Sequence, residues 1–234
     1  MAAKPNLLLI PGLVCDAAVW RHQCAHLSEI AEIIVPPVAQ GDGIADMARI
    51  VLDAAPDEFA LAGFSMGGYI ALEVLRQAPE RISRLCLLDT SMRADTQAKA
   101  EWRRQAIAAC ESGDFAKVID GMMPILLHPD QQSGPLPSFV REMAGRVGAE
   151  VFARRHRAIG SRQDSRDLIR AANFPVRSIC GREDGMSTIV EHVEIAELAP
   201  RGRFSIIEQC GHMTILEQPQ AATTLLRDWL LYEA

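Results

Sequence analysis

The segment Gly63-Phe64-Ser65-Met66-Gly67 carries the strongest chemical signal in the chain. It follows the apolar run Phe59–Ala62 and opens a helix-period stretch, Met66–Ala78. A serine between two glycines at a sharp strand-to-helix turn is lifted clear of a sheet, where its hydroxyl can attack a carbonyl. The helix behind it aims unpaired N–H groups at the reacting centre. A hydroxyl needs a base, and His212, in Gly211-His212-Met213, stands after the apolar run Arg203–Glu208 and before the final helix-period segment. A neutral imidazole there can take the Ser65 proton and return it to a leaving group.

The base in turn needs an acid to fix its tautomer. Asp184, in Gly181-Arg182-Glu183-Asp184, follows the run Val176–Cys180, and gives the chain order Ser, Asp, His. Glu183 is its neighbouring rival. Asp89, at the end of the run Arg84–Asp89, is a second rival, but Asp184 is preferred. The turn Ile10-Pro11-Gly12-Leu13 follows the first apolar run. It would place the Leu13 N–H beside the Met66 N–H, as two donors to an oxyanion.

These residues need a frame that brings strand ends to one edge. Asn6–Ile10, Glu32–Pro36, Phe59–Phe64, Arg84–Asp89, Val176–Cys180 and Arg203–Glu208 read as strands, mostly continuous in apolar residues. Trp20–Ser28, Ile44–Ala54, Met66–Ala78, Ser187–Leu198 and Pro219–Leu231 read as helices. Repeated alternation of the two predicts an α/β fold, a mostly parallel twisted sheet of about six strands with helices on both faces.

The alternation stops between Ser91 and Ala172. That stretch reads as helices punctuated by Gly113, Pro124, Pro129, Gly134-Pro135, Pro137 and Gly160. The expected organisation is a core of residues 1–90 and 173–234 with a helical cap, 91–172, over the sheet edge where ligands bind. The run Met122-Met123-Pro124-Ile125-Leu126-Leu127 is too apolar for a solvated surface, so part of it should pack on the core and part should face a pocket. The cap has 13 Lys and Arg against 10 Asp and Glu, whereas the remainder has 11 against 20. That asymmetry either helps the cap pack or weakly favours an anionic substrate.

Composition limits the alternatives. A net charge of -6 argues against nucleic acid as a partner. The N-terminal stretch from Met1 meets Pro11-Gly12 too soon to be a signal or a membrane span. Six cysteines without a Cys-x-x-Cys pair read as free thiols in a cytoplasmic protein. No metal or phosphate-loop motif stands out, so no cofactor is expected. No residue pattern sets an oligomeric state.

The segments Leu7–Leu13, Gly63–Gly68, Gly181–Asp184 and Cys210–Met213, with Glu217-Gln218-Pro219 behind, resemble the small bacterial α/β-hydrolases that carry a helical cap. The resemblance covers Asn6–Asp89 and Phe174–Ala234, and the cap only as a class. Many such proteins have His-Gly at the oxyanion turn, where this chain has Pro11-Gly12, which keeps the backbone donor. The chain starts directly at Asn6–Ile10, so the N-terminal hairpin of larger relatives is expected to be absent. The resemblance implies a serine hydrolase acting on a small acyl substrate, first of all a carboxylic ester. Thioesters, lactones and carbon–carbon bonds beside a ketone suit the same three residues. A small-molecule receptor or a lyase on this fold is the alternative of another class. Dehalogenase and epoxide hydrolase chemistry is disfavoured, because it needs a carboxylate where Ser65 stands.

Overall fold

Each of the six apolar runs becomes a strand of one parallel sheet. The computed structural model describes residues 4–233; Met1-Ala2-Ala3, part of the stretch read as lacking a leader, and Ala234 lie outside the described residues. The strands are β1 (Asn6–Ile10), β2 (Glu32–Ile34), β3 (Phe59–Phe64), β4 (Ile82–Leu88), β5 (Val176–Gly181) and β6 (Gly202–Ile207). Their spatial order is β2-β1-β3-β4-β5-β6, and every neighbouring pair is parallel. Every residue of β3 and β5 is buried, as expected of strands covered by helices on both faces. Leu7, Leu8 and Leu9 of β1 are fully buried, each stabilising the fold by about 2 kcal/mol. The edge strand β2 has no fully buried residue.

The limits of β2, β4, β5 and β6 differ from the sequence reading by one or two residues. β2 stops at Ile34, because the Pro36-Pro37 pair ahead cannot donate to a ladder. β4 starts at Ile82, which pairs with Phe59, and stops before Asp89, whose φ of 49° leaves the extended region.

The helices are α1 (Arg21–Leu27), α2 (Ile44–Ala54), α3 (Met66–Gln77), α4 (Gln97–Glu111), α5 (Phe115–Leu126), α6 (Pro135–Val147), α7 (Ala149–Gly160), α8 (Arg166–Ala171), α9 (Ile189–Leu198), α10 (Thr214–Glu217) and α11 (Pro219–Tyr232). Helices α4 to α8 all fall between β4 and β5, the interval in which no strand was expected. In α3 the residues Ile70, Ala71, Val74 and Leu75 recur at helical spacing and are buried. Pro124 does not break the chain as the sequence suggested; it lies inside α5. Its ring withholds one N–H, from the Asp120 carbonyl, and the helix ends two residues later, where the Leu127 N–H still reaches the Met123 carbonyl at 3.0 Å. Among the described residues no helix is long and apolar enough to cross a membrane.

The registers align the strand ends. Ile10 pairs with Gly63, Phe64 with Leu88, and Leu88 with Ile179. Parallel strands in this register bring the residues after β1, β3, β4, β5 and β6 to one edge, and all the candidate site residues follow a strand.

Candidate active site

Ser65 is the link between β3 and α3, and its backbone is held at φ 54°, ψ -116°. A non-glycine residue in that region is strained and must be fixed by its surroundings. The Ser65 N–H donates to the Leu88 carbonyl at 2.9 Å, and the Ser65 carbonyl accepts from the Thr90 hydroxyl at 2.8 Å and the Gly68 N–H at 2.9 Å. The flanking glycines follow from close approach. A Cβ on Gly63 would lie 2.3 Å from the Gly67 carbonyl oxygen, and one on Gly67 would lie 2.2 Å from that of Ile10. Both obstacles are backbone, so neither can swing aside.

His212 lies within reach of both proposed partners. Its Nε2 is 2.8 Å from Ser65 Oγ, and its Nδ1 is 2.9 Å and 3.0 Å from the two Asp184 carboxylate oxygens. An ionised carboxylate only accepts, so Nδ1 carries the proton and Nε2 is free to accept from Ser65. His212 is 3% exposed. Asp184 Oδ1 also accepts from the N–H groups of Met186 at 2.7 Å and Ser187 at 3.1 Å, and Oδ2 from the Ser187 hydroxyl. Burial by itself would raise the Asp184 carboxyl, but the adjoining His212 ring and the bonds from His212, Ser187 and Met186 hold it below the usual carboxylate range.

The rival carboxylates have other partners. Glu183 accepts from the Cys210 N–H at 2.9 Å. Asp89 is buried, accepting from the Thr214 hydroxyl and, at 3.2 Å, from the Gly181 N–H. Burial, and then the Asp184 charge, push its carboxyl well above the usual range. Leu13 and Met66 are both buried against Ser65, and a Cβ on Gly12 would come 3.3 Å from Ser65 Cβ. The Pro11-Gly12 turn is therefore pressed directly onto the serine.

Three further residues brace the site and were not singled out from the sequence for that role. Glu217 accepts from the N–H groups of His128 at 2.7 Å and Met213 at 3.0 Å, clamping the His212 loop. Arg155, 3% exposed on α7, donates to the carbonyls of Leu13 at 2.6 Å and Cys15 at 3.0 Å. His192, fully buried on α9, accepts the Thr90 N–H at 3.0 Å through Nε2 and donates from Nδ1 to the Ser178 hydroxyl at 2.7 Å. Glu217 falls in a segment already matched by resemblance. Nothing in sequence separates Arg155 from Arg154 and Arg157 beside it.

Two cavities adjoin Ser65 and His212. An inner one of about 30 Å³ is lined by Leu13, Met66, Met122 and Leu126, and an outer cleft of about 310 Å³ by Lys99, Trp102 and Ile125. Arg103, Tyr69 and Met186 border both. The apolar run of α5 thus divides. Met122 and Leu126 reach the inner cavity and Ile125 the outer, while Met123 and Leu127 are buried in the core and line neither. Among the described residues no three His, Cys, Asp or Glu side chains converge as metal ligands.

Comparison with known proteins agrees with this architecture. A pimeloyl-[acyl-carrier protein] methyl ester esterase from Aromatoleum aromaticum is 23% identical, over 96% of this chain and 98% of the relative. One of the same name from Vibrio parahaemolyticus is also 23% identical, over 96% and 94%. Among solved structures, a thermophilic esterase from Thermogutta terrifontis superposes with a TM-score of 0.88 at 25% identity, covering 98% of this chain and 90% of the other. The enol-lactonase from Burkholderia xenovorans LB400 gives 0.86 at 19% identity, over 98% and 92%, a likeness of fold. The sequence profile of the alpha/beta hydrolase fold matches residues 40–219, well over half of the chain. With that match and the all-parallel six-stranded sheet, the chain belongs to the alpha/beta hydrolase fold family.

Proposed function

We propose that this protein is a carboxylic ester hydrolase working through an acyl-enzyme on Ser65. The observation that carries the reading is the unbroken hydrogen-bonded series Ser65 Oγ, His212 and Asp184, with 2.8 Å and 2.9 Å links. His212 Nε2 takes the Ser65 proton as Oγ attacks the ester carbonyl carbon, and Asp184 stabilises the imidazolium without being protonated. The oxyanion is received by the N–H groups of Leu13 and Met66, each donor lowering the barrier by about 3 kcal/mol. The tetrahedral adduct expels the alcohol, which leaves with the proton from His212. Water, deprotonated by His212, then attacks the acyl-enzyme, and Ser65 is released with the acid.

Residues 1–90 and 173–234 form the hydrolase core in this reading, and residues 91–172 the helical cap that shields the acyl site from water. The names of the esterase relatives support ester hydrolysis over other acyl chemistry. The substrate is a small acyl compound. Six free cysteines support a reducing, cytoplasmic location. The test is hydrolysis of nitrophenyl esters of increasing acyl length beside thioesters and lactones. Esters should be turned over fastest, and Ser65→Ala should lower the rate by several orders of magnitude in a folded protein. Activity surviving that change would refute the reading.

A further inference from the structure

The outer cleft has a basic wall on α4. Ala98, Lys99, Trp102 and Arg103 lie on one helix face and all border this cleft with Ser65 and His212. Arg103 is only 7% exposed, an uncommon position for a guanidinium. Its Nε donates to Asp95 at 2.6 Å, Nη2 to the same carboxylate at 3.3 Å, and Nη1 to His156 Nδ1 at 3.2 Å. These bonds use three of its five N–H groups.

Asp95 does not belong to Arg103 alone. Arg162, whose side chain is buried though its residue as a whole is only partly so, donates to Asp95 Oδ1 at 2.7 Å and stacks 4.1 Å over the Tyr69 ring. Two guanidiniums therefore share one carboxylate, and the buried group carries a net positive charge. A purely structural ion pair is complete with one arginine, and an uncompensated buried charge is costly. The His156 ring cannot supply the missing negative charge. None of the other carboxylates nearby is bonded to either arginine: Asp89 accepts from Thr214 and Gly181, Asp184 from His212, and Glu191 from the Thr188 N–H, with Lys99 at 3.6 Å. Of the two guanidiniums, Arg103 is the one that stands at the boundary of the two cavities, where a substrate bonded to Ser65 must lie.

We infer that the substrate is an ester whose larger part bears a carboxylate, received by the two remaining N–H groups of Arg103, with Lys99 assisting from the more exposed part of the same helix face. This rests on the hydrolase reading above. The inner cavity, about 30 Å³ and largely apolar, suits the small end of such an ester, and the outer cleft of about 310 Å³ its charged end. A guanidinium recognises a carboxylate through paired N–H bonds, so one oxygen can be bound by each free Nη proton.

The experiment compares kcat/KM of the wild-type protein for monoethyl esters of short dicarboxylic acids with the matching diethyl esters, by titrating released protons. The hemiester should be favoured by roughly tenfold or more, and Arg103→Gln should lower the hemiester-to-diester ratio about 10- to 100-fold. Lys99→Gln, on a half-buried ion pair of 3.6 Å, should lower it only about threefold. Wild-type protein that prefers the diester overturns this inference and leaves the hydrolase reading standing, as does a folded Arg103→Gln with an unchanged ratio. Turnover of neither ester overturns both. Should Arg103→Gln not fold, inhibition of wild-type diester hydrolysis decides: glutarate should compete and its diamide should not, and equal behaviour of the two overturns the inference.

Discussion

The Arg155 guanidinium on α7 donates to the main-chain carbonyl of Leu13 at 2.6 Å, joining the helical segment between β4 and β5 to the turn after β1. The same segment grips the other side of the site, where the His212 N–H donates to the Leu126 carbonyl at 3.0 Å. Glu217 adds a carboxylate bridge from the His128 N–H to the Met213 N–H. These bonds are buried or partly buried, so they are not screened as surface ion pairs are. The helical segment is fastened to the turn that carries one proposed oxyanion donor and to the loop that carries the proposed base.

Removing Arg155 should therefore show in catalysis. Arg155→Met leaves the carbonyls of Leu13 and Cys15 without this donor and frees the turn. A displaced oxyanion donor is expected to cost about 10- to 100-fold in kcat with little change in KM. Steady-state kinetics on a nitrophenyl ester checks the split, and an unchanged kcat would show that the turn holds its shape without the cap.

The choice between carboxylates is tested by two amides. Asp184→Asn should cost roughly 10⁴-fold in turnover, because an amide does not hold the imidazole in the required tautomer. Asp89→Asn should cost far less. Burial already favours the neutral Asp89 carboxyl, which an amide imitates, and its partners are Thr214 and Gly181. If Asp89→Asn is the more damaging change, the acid has been assigned to the wrong strand.

Within the apolar run 122–127 the effects should separate by position. Met122→Ala and Leu126→Ala enlarge the inner cavity and should shift the ratio of long to short acyl esters hydrolysed. Met123→Ala and Leu127→Ala open holes in the core instead, at a cost of about 2–5 kcal/mol each. Melting temperatures and ester ratios measured on all four variants check this. A flat ratio across the set would make α5 packing alone.

Acid should expose the buried histidine on α9. Burial pushes His192 down to about 4, from an unfolded value of 6.5. The unfolded chain therefore binds the extra proton first, and stability is lost as pH falls from 6.5 towards 4, by up to about 1.4 kcal/mol per pH unit. Asp89 and Glu217 act in the opposite sense, since burial raises both. The informative quantity is thus a difference: His192→Gln should lose less stability than wild type between pH 7 and pH 4.5 (roughly the interval that spans an ordinary histidine). Parallel denaturant curves for the two proteins would exclude His192 as the source.

What was legible in the sequence follows from the range of the interactions involved. Phe59–Phe64 and Asn6–Ile10 declare themselves as buried strands by local pattern, and the glycines about Ser65 by the turn they permit. The order Ser65, Asp184, His212 could be read because each follows a strand. Arg155, His192 and Arg103 were not legible as parts of the site. Their partners are remote: Arg155 meets Leu13 142 residues away, and His192 meets Thr90 102 residues away. A basic residue on an amphipathic helix gives no local sign of whether it faces water or a carbonyl. The end of β4 and the break expected at Pro124 differ for a related reason: Asp89 leaves the extended region at its φ of 49°, and Pro124 is carried inside α5.

The central claim is that Ser65 is the nucleophile, activated by His212. The most direct measurement is labelling of the intact protein with a fluorophosphonate, followed by peptide mass mapping, on wild type and on His212→Ala. Wild type should gain one adduct, carried by Ser65, and His212→Ala should label far more slowly. An adduct on any other residue, or equal labelling of both proteins, would contradict the account.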